Sequence, residues 1–86
     1  AEQDWKTTLT EFAFNHDMGA VTYEVEGEGP DHQRVFTAHA FVASRDTEVG
    51  QGVGTSKKHA ENAAAADAVA RLSGEKRVDE QGEKRD

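Results

Sequence analysis

The first apolar residues of the chain recur at the spacing of an amphipathic helix. They are Trp5, Leu9, Phe12 and Ala13. Because they lie at i, i+4, i+7 and i+8, they share one face of a helix. Asp4 precedes them and can cap the helix with its carboxylate. The pattern predicts a helix from about Asp4 to Asn15, which Met18-Gly19 then interrupts.

The next two apolar segments alternate with polar residues at every second position. One runs from Val21 to Val25 and the other from Phe36 to Val42. This period is typical of strands that are buried on one side. A loop at residues 27–32 separates them, and a turn at residues 44–46 leads to a third predicted strand, from Thr47 to Val53. The three strands would form an antiparallel meander.

An alanine-rich segment near the end of the chain has high helix propensity. Ser56, a favourable N-cap residue, precedes a predicted helix from Lys57 to Leu72. The positions on its inner face are Ala60, Ala64, Ala68 and Leu72. Small side chains there would let the helix lie close to the sheet. We therefore predict an α+β fold in the order α-β-β-β-α, a two-layer sandwich with both helices on one face of a three-stranded antiparallel sheet.

Composition divides the 86 residues into one folded unit and two terminal segments. We expect a domain at residues 4–73, a linker at residues 1–3, and a disordered tail at residues 74–86, where charges of both signs occur with almost no apolar residue. No apolar run is long enough for a membrane span. The absence of cysteine excludes disulfides and cysteine-ligated zinc, and it fits a reducing, cytoplasmic compartment.

The net charge of −7 argues against a polyanion as ligand when the chain is taken as a whole. Up to Gly74, six cations stand against twelve acids, so any site for nucleic acid must be a local cluster. Lys57 and Lys58 form such a cluster. They follow Ser56 at a predicted helix N-terminus, where free backbone amides also attract phosphate.

Other kinds of site find little support in the sequence. The glycine-rich segment from Gly50 to Lys57 lacks the Gly-Lys-Ser/Thr order of a nucleotide-binding P-loop. The four histidines lack metal-ligand spacing. Neither a nucleophile-elbow motif nor a dense carboxylate cluster is present, so we expect no catalytic residues and no cofactor in this chain.

The order of elements and several short motifs resemble the double-stranded RNA-binding domain family. The motifs are Leu9-Thr10-Glu11-Phe12, Gly29-Pro30-Asp31-His32, Phe36, and Gly52-Val53-Gly54-Thr55-Ser56-Lys57-Lys58. Within the family, the chain is most similar to the C-terminal domain of bacterial ribonuclease III, on the strength of Asp-Trp-Lys-Thr at residues 4–7, the Tyr23-Glu24-Val25 strand and the Gly-Pro-Asp-His loop.

The resemblance implies a module that binds double-stranded RNA by its shape. The implied RNA-binding residues are Thr7, Thr10 and Glu11 in the first helix, Pro30, Asp31 and His32 in the loop, and Ser56, Lys57 and Lys58 at the start of the last helix. The helix and the loop would enter successive minor grooves, and the lysines would contact the phosphates between them. The resemblance also implies a monomeric domain without membrane contact. The parent would be a homodimeric ribonuclease III with magnesium in its nuclease domain, acting in ribosomal RNA processing.

Two departures from the family pattern lead us to expect weak binding. Thr10 stands where Gln or Asn is common, and Glu61 stands where the family often has a further cation. We expect the Glu61 carboxylate to face outward beside the lysines and to repel phosphate. The alternative function is a protein-interaction or dimerisation module, which the net charge favours, with Phe14 and Phe41 as its partner surface.

Overall fold

Two helices and a three-stranded antiparallel sheet form two layers in the computed structural model, which describes residues 2–81. The elements are α1 (Trp5–Asn15), β1 (Val21–Glu28), β2 (Val35–Val42), β3 (Gly50–Gly54) and α2 (Lys57–Gln81). The strands lie in the order β1-β2-β3, and both helices pack on the same face of the sheet. The predicted α-β-β-β-α sandwich is confirmed. Within residues 2–81, no helix has both the length and the apolar content needed to cross a membrane.

Helix α1 packs its predicted apolar face into the core. That face comprises Leu9 and Ala13, which are fully buried, and Trp5 and Phe12, which are half-buried. The helix ends at Asn15, and Asp17 then adopts a left-handed conformation with φ 58°. Aspartate tolerates this conformation better than most residues. The turn returns the chain to the core, where Met18 is buried.

Strand β1 alternates between the two faces of the sheet as predicted. Val21, Tyr23 and Val25 pack against the core, and the residues between them are exposed. The strand is longer than predicted, because its pairing with β2 continues to Glu28, past the expected start of the loop at Gly27. The loop between β1 and β2 therefore comprises residues 29–34.

Strand β3 is shorter than predicted, beginning at Gly50 and not at Thr47. The Glu48 carboxylate turns back toward the end of β2, where its Oε1 lies 2.5 Å from Nδ1 of His39. The connection between the strands therefore bends at residues 47–48 before it joins the ladder. Val49 is buried at the end of this connection.

Helix α2 lies against β3 with almost no side chain between the two backbones. Its inner face is the predicted set of Ala60, Ala64, Ala68 and Leu72, all of them buried. A Cβ added at Gly52 would lie 2.2 Å from the backbone nitrogen of Ala64, and one added at Gly50 would lie 2.4 Å from the carbonyl oxygen of Ala64. Glycines on the strand and alanines on the helix together permit this close packing.

Helix α2 differs from the prediction in its length, since it continues past Leu72 to Gln81. Residues 74–81, expected to be disordered, are therefore helical, and residues 82–86 lie outside the described residues. Glutamate, lysine, arginine and glutamine have helix propensities close to that of alanine, so the helix can continue without an apolar face. An ion pair of 2.8 Å between Arg45 and Glu75 ties the start of this extension to the β2–β3 connection.

Candidate nucleic-acid interface

Helix α1 presents the predicted residues Thr7, Thr10 and Glu11 to solvent. The Thr7 hydroxyl donates a hydrogen bond to the Asp4 carboxylate at 2.6 Å, and the Thr10 hydroxyl donates to the Lys6 carbonyl at 3.0 Å. A hydroxyl has one proton and two lone pairs. Because both protons are used within the helix, the threonines and the Glu11 carboxylate offer hydrogen-bond acceptors to a ligand. Ribose 2′-hydroxyls and base amino groups are suitable donors.

Asp4 holds this face in place as the N-cap of α1. The Thr7 amide donates to Asp4 Oδ1 at 3.1 Å, which confirms the predicted cap. The Thr7 hydroxyl, followed by the Thr7 amide, lowers the pKa of Asp4 from its ordinary value of 3.8, because these hydrogen bonds favour the charged carboxylate. Asp4 is therefore ionised at neutral pH and keeps the Thr7 hydroxyl oriented.

The β1–β2 loop has a defined turn that exposes Pro30, Asp31 and His32. Gly29 begins the turn at φ 95°, a left-handed conformation that glycine adopts without strain. A single turn of 3-10 helix, Asp31–Gln33, is closed by a hydrogen bond of 2.9 Å from the Gln33 amide to the Pro30 carbonyl. The His32 side chain is thus held on a loop of fixed shape.

The start of α2 concentrates positive charge at a helix N-terminus. The amide of His59 donates to Ser56 Oγ at 3.1 Å, which confirms Ser56 as the predicted N-cap. Lys57 and Lys58 are exposed, and neither takes part in an ion pair among the described residues. Both ammonium groups can therefore meet a phosphate without first breaking a contact within the domain.

The start of α2 lies between α1 and the β1–β2 loop. One groove is lined by Asp4 and Lys6 together with Lys58 of α2. A second groove is lined by His32 of the loop together with Thr55, in the turn that precedes α2. Lys58 therefore shares a groove with residues at the start of α1, and the turn before α2 shares a groove with the loop that bears His32.

Glu61 is not placed as the sequence led us to expect. Its carboxylate accepts a hydrogen bond of 2.5 Å from Lys6 Nζ, and its side chain is 23% exposed. Glu61 lies on the side of α2 that packs against α1. Its spacing from Lys57 along the helix could not reveal this contact, because the contact depends on how the two helices pack. The Glu61 charge is therefore paired with Lys6 and does not stand unpaired beside the lysine cluster.

Tyr23 lies beneath this ion pair. The Lys6 ammonium is 5.1 Å from the centre of the Tyr23 ring, close enough for a cation–π interaction. Burial, with smaller contributions from the charges of Glu61 and Asp4, raises the pKa of Tyr23 to about 12. The phenol is therefore neutral at physiological pH, and its ring supports Lys6.

Asn62 is a buried polar residue that the sequence analysis did not single out. Its side chain is 7% exposed; it accepts from the Trp5 amide and donates to the Gln3 carbonyl, both at 2.8 Å. These hydrogen bonds fix the segment that enters α1 against α2. A single asparagine in an alanine-rich helix could have indicated a buried hydrogen-bonding role, because a buried side-chain amide needs hydrogen-bond partners.

The histidines have separate environments. His16 packs on an aromatic ring of α1, His39 lies on the open face of the sheet, His59 faces the N-terminal segment, and His32 is exposed on its loop. Among residues 2–81, no group of three histidine, cysteine, aspartate or glutamate side chains is arranged to hold a metal ion.

Phe14 and Phe41 do not form a common surface. Phe14, on α1, is 81% exposed. Phe41 lies in β2 between the buried residues Ala40 and Val42, so it faces away from the helices. The two rings therefore lie in different layers, and the partner surface expected for an interaction module does not form from this pair.

Comparison with known proteins agrees with the fold and the motifs. The double-stranded RNA binding motif matches residues 5–72. The Ribonuclease 3 of Mycolicibacterium paratuberculosis is 56% identical over 63 residues, or 73% of this chain and 26% of that protein. The Ribonuclease 3 of Nocardia farcinica is 44% identical over 72 residues, or 84% of this chain and 29% of that protein.

A solved structure of Arabidopsis HYL1, described in connection with miRNA processing, aligns with a TM-score of 0.67 and 27% identity, covering 83% of this chain and 99% of that chain. The present chain spans about a quarter of the length of the curated relatives it matches. It belongs to the double-stranded RNA binding motif family and is homologous to a part of bacterial ribonuclease III.

Proposed function

We propose that this domain binds double-stranded RNA by the shape of the A-form duplex. The observation that carries the proposal is that Lys57 and Lys58 are exposed at the N-terminus of α2 and lack ion-pair partners among the described residues. Family membership supports the same function.

The proposed contacts follow from the geometry of A-form RNA. Its major groove is too deep and narrow for side chains, whereas its minor groove is wide, shallow and lined with 2′-hydroxyls. Thr7, Thr10 and Glu11 would accept hydrogen bonds in one minor groove, and the loop with Pro30, Asp31 and His32 would enter the next. The lysines would contact the phosphates between them, over a site of about 16 base pairs.

Titration with matched RNA and DNA duplexes tests this proposal. Because α1 offers acceptors to 2′-hydroxyl donors that DNA lacks, the domain should bind an RNA duplex of about 20 base pairs more tightly than DNA of the same sequence, with little sequence preference. A second RNA duplex of shuffled sequence is the control. Equal affinity for RNA and DNA, or a strong preference between the two RNA sequences, would contradict recognition of A-form shape.

We further propose that the domain is the substrate-binding part of an endonuclease that cleaves double-stranded RNA. Homology to ribonuclease III over about a quarter of the relatives' length supports this role. Two copies in a dimeric protein would raise the effective concentration of each domain at the duplex and compensate for a weak single site. Deleting residues 4–73 from the longer protein should weaken cleavage mainly at low RNA concentration.

An interaction module remains a second candidate because of the exposed aromatic ring of Phe14. A folded domain that binds neither duplex but self-associates, and that loses this association in Phe14→Ala, would favour it.

A further inference from the structure

Arg34 joins the two ends of the β1–β2 loop. It stands directly before β2, and its side chain folds back to the opposite end of the loop. Its Nη1 donates to the Gly29 carbonyl at 2.8 Å, and its Nη2 donates to the Gly27 carbonyl at 3.4 Å. The planar guanidinium thus links the last residue of the loop to its first residue, Gly29, and to Gly27 of β1.

The surroundings of Arg34 are shaped to hold the guanidinium there. A Cβ at position 27 would lie 2.8 Å from Arg34 Nε, so the absence of a side chain at Gly27 makes room for the arginine. The guanidinium carbon lies 5.9 Å from the centre of the Phe36 ring, within range of a cation–π contact. Two hydrogen bonds, a matching gap and an aromatic contact therefore define one position for this side chain.

We propose that Arg34 is a positioning residue that holds the loop with His32 in its RNA-binding shape, and not a phosphate-binding residue. This inference rests on the proposed RNA binding. Arg34 lines the same groove as His32 and Thr55, so it lies close to the expected path of the RNA. However, its Nη1 and Nη2 groups each donate to a backbone carbonyl at the base of the loop, which favours a structural role over a phosphate contact.

The expected consequence is a smaller fraction of binding-competent loops when Arg34 is changed. Apparent affinity falls in proportion to that fraction. If the intact loop shape were reduced to about a tenth of the population, RNA affinity would fall about tenfold. The number of phosphate contacts would not change, so the dependence of affinity on salt concentration should keep its slope.

Arg34→Ala and Arg34→Lys, compared with the unchanged domain, test the inference. Lysine keeps the charge and can still bind phosphate, but it cannot bridge two carbonyls with a planar fork. Both variants should therefore lose RNA affinity to a similar degree. In both, the backbone amide resonances of residues 29–33 should shift in NMR spectra recorded without RNA, while those of α1 and α2 should not.

Lys57→Ala is the comparison for a phosphate contact. It should lower affinity and also reduce the slope of log affinity against log salt by about 1. If Arg34→Ala reduced the slope in the same way, or if Arg34→Lys kept the original affinity, the positioning role would be overturned. Unchanged loop resonances in Arg34→Ala would overturn it as well. Failure of the unchanged domain to bind RNA would reject the proposed function, whereas the NMR measurement would still decide whether Arg34 holds the loop.

Discussion

Partners within the domain determine which cations a ligand can meet. Lys6 is paired with Glu61, and Arg34 donates to backbone carbonyls. Lys57 and Lys58, in contrast, have no ion-pair partner among the described residues. Glu61 would therefore act on a charged ligand through its ion pair with Lys6, and not as an unpaired neighbour of the lysine cluster.

Glu61→Gln should increase RNA affinity several-fold at low salt. The change removes one negative charge and releases Lys6, whose side chain is 40% exposed near Lys58. The gain should shrink at higher salt, because screening weakens exposed charges. Measuring dissociation constants for the same RNA duplex at two salt concentrations tests the prediction.

Lys6→Gln is the matched control for that experiment. It breaks the same ion pair but removes a cation, so it should not increase affinity. Both variants should lose under about 1 kcal/mol of stability, which is usual for a partly exposed pair. If the two variants changed affinity in the same direction, the geometry of the contact between α1 and α2, and not charge, would be the cause.

The contact between α2 and β3 fixes how the secondary-structure elements are arranged. Gly50 and Gly52 on the strand touch the backbone of the helix at Ala64. Because no flexible side chain fills this contact, it has little room to adjust. The start of α2, with its lysines, is therefore held at a fixed distance from the sheet and its loop.

Gly52→Ala should destabilise the domain by about 3 kcal/mol, because the added methyl group must move a backbone and not a side chain. Gly74→Ala should have the opposite effect and stabilise the domain by about 1 kcal/mol through helix propensity. A Cβ at Gly74 meets no atom within 4 Å, whereas one at Gly52 meets the backbone nitrogen of Ala64 at 2.2 Å. Urea unfolding of both variants measures these changes in the free energy of unfolding. If Gly52→Ala left that free energy unchanged, α2 and β3 could separate without loss of stability.

Periodic patterns in the sequence predicted the elements well where one face of each is buried. The spacing from Trp5 to Ala13 gave α1, and the alternation from Val21 to Val25 gave the orientation of β1. The end of α2 was not predicted, because the apolar pattern stops at Leu72 and does not mark where the helix ends. The start of β3 depends on how Glu48 turns toward His39, which a local pattern does not contain.

The candidate site was predictable to the extent that its residues are close in sequence. The threonine face of α1 and the capped lysine pair follow from helix geometry and are exposed as expected. The pairing of Lys6 with Glu61 joins two helices, and Arg34 folds back through its side-chain torsions. Both contacts depend on three-dimensional packing, so neither could be deduced from spacing along the chain.

The whole molecule carries a net charge of −7, yet its acids and cations are distributed unevenly. Glu24, Glu26 and Glu28 are exposed on the face of β1 that points away from the helices. Lys57 and Lys58 lie at the start of α2, in the other layer. A polyanion should therefore meet the lysine side of the domain and be repelled from the open face of the sheet.

The double variant Lys57→Ala with Lys58→Ala should nearly abolish RNA binding and leave the fold intact. It should also flatten the salt dependence, because phosphate contacts release counterions. Arg45→Ala with Arg71→Ala is the matched control: it lowers the net charge equally but removes cations that are already paired with Glu75 and Asp67. Equal loss of binding in both double variants would show that net charge, and not the local lysine cluster, controls affinity.

The glutamates of β1 also affect how copies of the domain meet one another. With the strand order β1-β2-β3, β1 is an edge of the sheet, and an unpaired edge can serve as a template for another strand. A second β1 added alongside it would bring two rows of glutamates onto the same face, where like charges on neighbouring strands repel. When many copies of the domain bind one long duplex, their local concentration is high. The glutamates of β1 would then oppose aggregation through the sheet edges, although the same acidic residues make the domain an unusual candidate for RNA binding.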